Sequence, residues 1–165
     1  MAVAMGFTVV SDYFLVLANN HITGVFTFCF VHIVYILRVS ENRQKSKAYI
    51  AATVCGGGLL LAVLPQPRLL IILAMVYAAL FIQNLFAHII YCRSRNGDAL
   101  PMINRRIMLA GLILFALCDI HVLMFNLHYF LPVPPEIGLW GRAWIWVFYM
   151  PSQLLLGVSS VRWSK

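Results

Sequence analysis

Six apolar segments, at about residues 3–18, 21–38, 48–64, 69–91, 106–130 and 141–161, alternate along the chain with short polar or proline-bearing joints. A helix needs about 20 apolar residues to cross the hydrocarbon of a bilayer, and these segments are near that length. The first and third are shorter, which local bilayer thinning or shielding against neighbouring helices accommodates. The pattern predicts an all-α fold: a polytopic membrane helix bundle of about six transmembrane helices, forming a single domain over residues 1–165. Three of the joints, Asn19-Asn20-His21, Pro65-Gln66-Pro67-Arg68 and the longer stretch from Leu131 to Trp140, fall on one side of the bundle. Prolines, which cannot continue a helix, make the latter two sharp stops.

The placement of basic residues tests this division independently. Arg38, Arg43, Lys45 and Lys47 follow the second segment, Arg93, Arg95, Arg105 and Arg106 follow the fourth, and Arg162 and Lys165 close the chain, whereas the opposite joints hold only Arg68 and Arg142. Because Lys and Arg accumulate in cytoplasmic loops, this alternation supports six crossings with both termini cytoplasmic. The start of the chain lacks the basic region of a secretory signal and carries Asp12 within its apolar run, so residues 1–18 are read as a retained helix.

Composition agrees with a membrane protein. The chain is 62% hydrophobic and 10% charged, against about 25% charged in soluble domains. The net charge of +7 reflects these topology clusters; without an aromatic-interleaved basic groove it does not point to nucleic acid. Cys29, Cys55, Cys92 and Cys118 show neither paired nor metal-type spacing and read as small packing residues. Cys55-Gly56-Gly57-Gly58 offers a flat surface for close helix approach and lacks the lysine of a nucleotide loop. Trp140, Trp144 and Trp163 near the ends of the last segment suit the headgroup region.

Against this background the polar residues inside the apolar segments stand out. Of five acidic residues, Glu41, Asp98 and Glu136 fall in joints, which leaves Asp12 and Asp119 as the carboxyls within apolar runs. An acid at the centre of a membrane helix costs roughly 2.5 to 3.5 kcal/mol on insertion scales and so marks a functional position. At about 100° per residue, Gly24, Phe28, His32 and Tyr35 form one stripe of the second helix. In the fifth, Met108, Leu112, Phe115, Asp119 and Asn126 share a face, while His121, Phe125 and His128 lie about 160 to 200° around. Asp119 is the costlier group to leave in lipid and is assigned the inward face, with His121 secondary. Tyr149 and Gln153 are one turn apart, with Pro151 between them freeing a backbone carbonyl. Tyr77, Gln83, Asn84 and His88 give the fourth helix a polar side; interhelical hydrogen bonds account equally well for the last three.

The order and spacing of four motifs, Ser11-Asp12, Gly24-x-x-x-Phe28-x-x-x-His32-x-x-Tyr35, Leu114-Phe-Ala-Leu-Cys-Asp119 and Tyr149-Met-Pro-Ser-Gln153, resemble the lysoplasmalogenase-like (YhhN-type) membrane family. Ser11 stands where the family has Gly, and Cys118 where it has Ser. The resemblance also implies a shortened member lacking the first helical pair, either inactive or completed by another subunit or a second copy of the chain. What it implies chemically is hydrolysis of the vinyl-ether bond of a lysophospholipid substrate of the lysoplasmalogen type, drawn from the surrounding membrane lipids, with no cofactor and no metal. Asp12 and Asp119 would be the catalytic acid/base pair; His32, Tyr35, Tyr149 and Gln153 would orient water or the glycerol hydroxyl, with Tyr77, Asn84 and His121 as secondary candidates. Two other readings stay open. One is a metal-dependent membrane hydrolase using His32, His88 or His121 with an aspartate, although no helix carries a His-x-x-x-His pair. The other is a non-enzymatic lipid-binding or assembly protein.

Overall fold

The computed structural model describes residues 2–40, 42–63, 69–94, 100–127 and 131–161. Among these residues there are helices and no strands: α1 (Ala2–Asp12), which continues into a π-helical turn (Tyr13–Leu17), α2 (His21–Val39), α3 (Arg43–Val63), α4 (Leu69–Arg93), α5 (Met102–Asn126) and α6 (Pro135–Val158). By length and composition α2, α3, α4 and α5 can each cross a bilayer, and α1 with its π turn is a shorter apolar helix. α6 has 24 residues, but Glu136, Arg142 and Gln153 leave it more polar. The expected all-α membrane architecture of six helices is therefore the one observed.

Three helices begin earlier than hydropathy predicts, and each start has a local cause. α3 takes in Arg43, Lys45 and Lys47 because Asn42 caps it, its side-chain oxygen accepting from the Lys45 backbone N–H at 3.0 Å. α5 starts behind Pro101, whose extended backbone (ψ 149°) leads into the first turn. α6 starts at Pro135, where a proline costs nothing because the first N–H of a helix is unpaired anyway, and Glu136 complements the positive helix end. Six of the ten residues of the expected joint from Leu131 to Trp140 are thus helix. Glu41, the proline joint 65–67 with Arg68, Arg95, Asp98, His128, Arg162, Trp163 and Lys165 lie outside the described residues.

The chain divides into two compact units, Met1–Arg93 and Ser94–Lys165. In the first, α2 packs against α1 and α4, and α3 against α4. Asn19, in the left-handed region at φ 49°, turns the α1–α2 hairpin. Asn20 caps α2 by accepting from the Thr23 N–H at 3.1 Å. The hairpin closes where Gly24 admits the Leu15 side chain from the π turn. One turn on, the buried Ser11 hydroxyl donates to Thr27 Oγ1 at 2.7 Å. Cys29, Ile36 and Leu80 centre the apolar core, with Ile33, Ile50, Leu73 and Val76 packed around them. Of the three consecutive glycines, only Gly57 makes the close approach, against Val76, while Gly56 and Gly58 face open space. Gln83 ties α4 to α3 through Thr53 Oγ1 at 2.6 Å.

In the second unit α5 and α6 pack along their lengths. Gly141 lets the backbones touch: a Cβ there would sit 2.6 Å from Phe125 N and 2.7 Å from the His121 carbonyl oxygen. At the other end Asn104 donates to the carbonyls of Ser159 at 3.0 Å and Val161 at 2.5 Å, capping α6 from the side.

Candidate functional site

In the first unit the polar face of α4 meets the His32 stripe of α2. Asn84 and His88 are one turn apart, so both project from one side of α4, and this side is buried together with Leu80 and Phe81. His32 is 1% exposed, and Asn84 and His88 are 0% exposed, so the three form a buried polar cluster in an apolar unit. Asn84 donates its side-chain N–H to His32 Nδ1 at 3.1 Å. His88 Nδ1 lies 2.9 Å from the Asn84 backbone carbonyl, which can only accept, so Nδ1 carries the proton. Rings wall the cluster: His32 meets Tyr77 and Phe81 edge-on with centroids 5.0 Å away in each case, and Tyr35 lies 6.2 Å from His88.

These contacts fix the tautomers. His32 accepts at Nδ1, so its neutral ring holds the proton at Nε2; His88 donates at Nδ1, so its neutral ring keeps a lone pair at Nε2. Neither His88 Nε2 nor Asn84 Oδ1 has a hydrogen-bond partner among the described residues. Asn84 Oδ1 and His88 Nε2 are therefore two acceptors carried by adjacent turns of α4, in surroundings dry enough to strengthen any bond they make.

Four of the expected site residues, His32, Tyr35, Tyr77 and Asn84, thus come together. Asp12 is the last residue of α1, partly buried, and directly follows the fully buried Ser11. The π turn begins immediately after it, with Ala18 N donating to the Tyr13 carbonyl at 2.9 Å in the wider register. Such turns interrupt α-helices disproportionately at functional positions.

The second unit holds the others. Asp119 is partly buried on α5, whose residues Met108, Leu112, Phe115 and Cys118 are buried, so the face expected to turn inward largely does. His121 packs instead against α6 rings, 5.0 Å from Phe148 and 6.5 Å from Trp144, and donates from Nδ1 to the Leu117 carbonyl at 2.6 Å. Tyr149 lies 6.0 Å from Phe115, and Gln153, one turn further on α6, is half-buried. Beside Pro151, the Ser152 hydroxyl donates to the Tyr149 carbonyl at 2.7 Å, while the carbonyl that the proline leaves without its backbone donor is that of Val147, one turn before it.

His88 stands in the sequence on the polar side of the fourth helix and among the ligands of the metal-dependent alternative, and its four-residue spacing from Asn84 is the signal that joins the two. The bond between Ser11 and the half-buried Thr27 has no mark in the sequence, because a hydroxyl in an apolar run is a common packing group. Arg105 is buried and donates to the carbonyls of Leu100 at 2.9 Å and Ser94 at 3.0 Å, which makes it a strap on its own loop, while Arg106 is exposed. No group of three His, Cys, Asp or Glu residues able to hold a metal ion occurs among the described residues. The metal-dependent alternative therefore has no ligand set there.

A model of the YhhN family matches residues 1–160 of the chain. Searches of curated proteins and of solved structures find no match.

Proposed function

This chain belongs to the YhhN family, and on that premise we propose that it is a membrane-embedded hydrolase of the lysoplasmalogenase type, acting on the vinyl-ether bond of lysophospholipids. What supports the reading is that Asp12 in the first unit and Asp119 in the second each stand in an apolar helical stretch of this family member. Asp12 stands less than two turns before the end of the π turn at Leu17, and Asp119 about two turns before the end of α5 at Asn126. Acids are costly at such positions, and cleavage of an enol ether is a reaction that needs one.

One aspartate, in its protonated form, delivers its proton to the alkene carbon, and the ether oxygen takes up the charge as an oxocarbenium ion. Water adds to the carbon bearing that oxygen and loses a proton, giving a hemiacetal. Collapse of the hemiacetal releases a fatty aldehyde and a glycerophosphoethanolamine or glycerophosphocholine. The second aspartate, ionised, stabilises the cation, the division of labour used by paired carboxyls in glycoside hydrolysis. His32 and Tyr35 in the first unit, and Tyr149 and Gln153 in the second, orient water or the glycerol hydroxyl.

The test is substrate discrimination by the purified full chain in lipid nanodiscs, supplied with 1-alkenyl, 1-alkyl and 1-acyl lysophosphatidylethanolamine. Aldehyde from the alkenyl lipid, with the alkyl and acyl lipids untouched, is expected. Binding of all three without product would assign the chain to lipid binding instead.

A further inference from the structure

We propose that His88 is a further catalytic residue of this hydrolysis, the base that takes the proton of the attacking water, with Asn84 Oδ1 holding that water's second hydrogen. The inference rests on the vinyl-ether reading and adds to it a residue that neither the acid pair nor the orienting groups include.

The hydrogen-bond roles single out His88 over its neighbour. His32 accepts from Asn84 at Nδ1 and so presents an N–H at its other nitrogen, which cannot take a proton. His88 gives its Nδ1 proton to the Asn84 carbonyl and presents a lone pair. The same Asn84 that spends its N–H on His32 leaves its side-chain oxygen as an acceptor. Two acceptors on adjacent turns of α4 call for a ligand with two donors, and water is the smallest. Buried water typically satisfies such polar atoms, which an apolar cavity leaves dry. The rings of Tyr77, Phe81 and Tyr35 beside the two histidines keep the pair from bulk solvent. A single held molecule there is oriented with its oxygen lone pairs free to attack.

The proton inventory closes. Water's oxygen bonds to the oxocarbenium carbon while one O–H proton passes to His88 Nε2, giving the hemiacetal and a protonated imidazole. His88 then returns that proton to the departing glycerol oxygen as the C–O bond breaks. The hemiacetal hydroxyl proton goes to the aspartate that protonated the alkene, and both groups end as they began.

The experiment compares wild type, His88→Asn and His88→Gln in nanodiscs with 1-alkenyl lysophosphatidylethanolamine in D2O, reading aldehyde release and deuterium in the unreacted lipid. Asparagine keeps a donor near the Nδ1 position and glutamine keeps a polar atom near Nε2, so each preserves part of the structural bonding while removing the base. For both variants kcat is expected to fall about a hundredfold, the scale of general base catalysis, with KM unchanged. Unreacted lipid should gain deuterium at the alkene carbon, because an oxocarbenium ion that is not captured returns to alkene. Turnover near the wild-type rate in either variant, a rise in KM alone, or loss of kcat without deuterium uptake would each overturn the role of His88 while leaving the hydrolase reading in place. Absence of aldehyde from the wild type would remove the reaction itself and this role with it.

Discussion

Asn84 donates its side-chain amide to Nδ1 of His32 across 3.1 Å, joining α4 to α2 between residues 52 positions apart in sequence. Both side chains are fully buried, so bulk water does not compete for the bond. Asn84→Ala should destabilise the protein by about 1 to 3 kcal/mol, because it strips a buried acceptor of its donor. Asn84→Ala combined with His32→Leu should cost less than the sum of the two single changes, and thermal or denaturant unfolding in detergent measures that difference.

Gly24 and Leu15 make a second joint, between α2 and the π turn. A side chain on Gly24 meets Leu15, so Gly24→Val should cost about 1 to 3 kcal/mol through overpacking. Leu15→Ala in the same chain should restore part of the loss, because the two nearest obstacles are side-chain atoms while the Leu15 backbone N, at 3.3 Å, stays in place. Recovery of the melting temperature in the double variant, but not in Gly24→Val, checks the contact.

At Gly141 no such rescue exists. The atoms facing an added Cβ, at 2.6 and 2.7 Å, belong to the backbone of α5, and truncating side chains cannot move them. Gly141→Ala should therefore lower the melting temperature sharply, whereas Gly56→Ala and Gly58→Ala, with open space around them, should be neutral or gain up to about 1 kcal/mol from helix propensity. Unfolding curves of the three variants, measured side by side, decide this.

Much of the architecture was legible in the hydropathy pattern, because runs near 20 apolar residues have few folds open to them in lipid. The early starts of α3, α5 and α6 were not, since hydropathy marks where a helix enters lipid and Asn42, Pro101 and Pro135 mark where it begins. The His32 stripe of α2 followed from helical phase, and so did the burial of Met108, Leu112 and Phe115 on α5. Phase alone could not show that His121 lies against the α6 rings, because a helix surface turned from one partner is not thereby turned to lipid. Nor could composition reveal the π turn after Asp12, which sets Leu15 against Gly24. The tautomers of His32 and His88 needed coordinates, since both depend on which atom of Asn84 each ring meets.

Arg105 and Arg106 look alike in sequence and differ in the fold. Arg105 is buried and bonded to the carbonyls of Leu100 and Ser94, while Arg106 is exposed. Arg105→Ala should cost about 1.5 to 3 kcal/mol, the range for hydrogen bonds to charged groups, and Arg106→Ala close to nothing. Melting temperatures of the two variants, measured side by side, separate them.

The central claim is that two intramembrane carboxyls carry out vinyl-ether cleavage. Its most direct measurement is aldehyde release from 1-alkenyl lysophosphatidylethanolamine by purified Asp12→Asn and Asp119→Asn, each shown by its melting temperature to be folded. Loss of aldehyde in both variants, with lysolipid still bound, is the expected result; full activity in either one would contradict it.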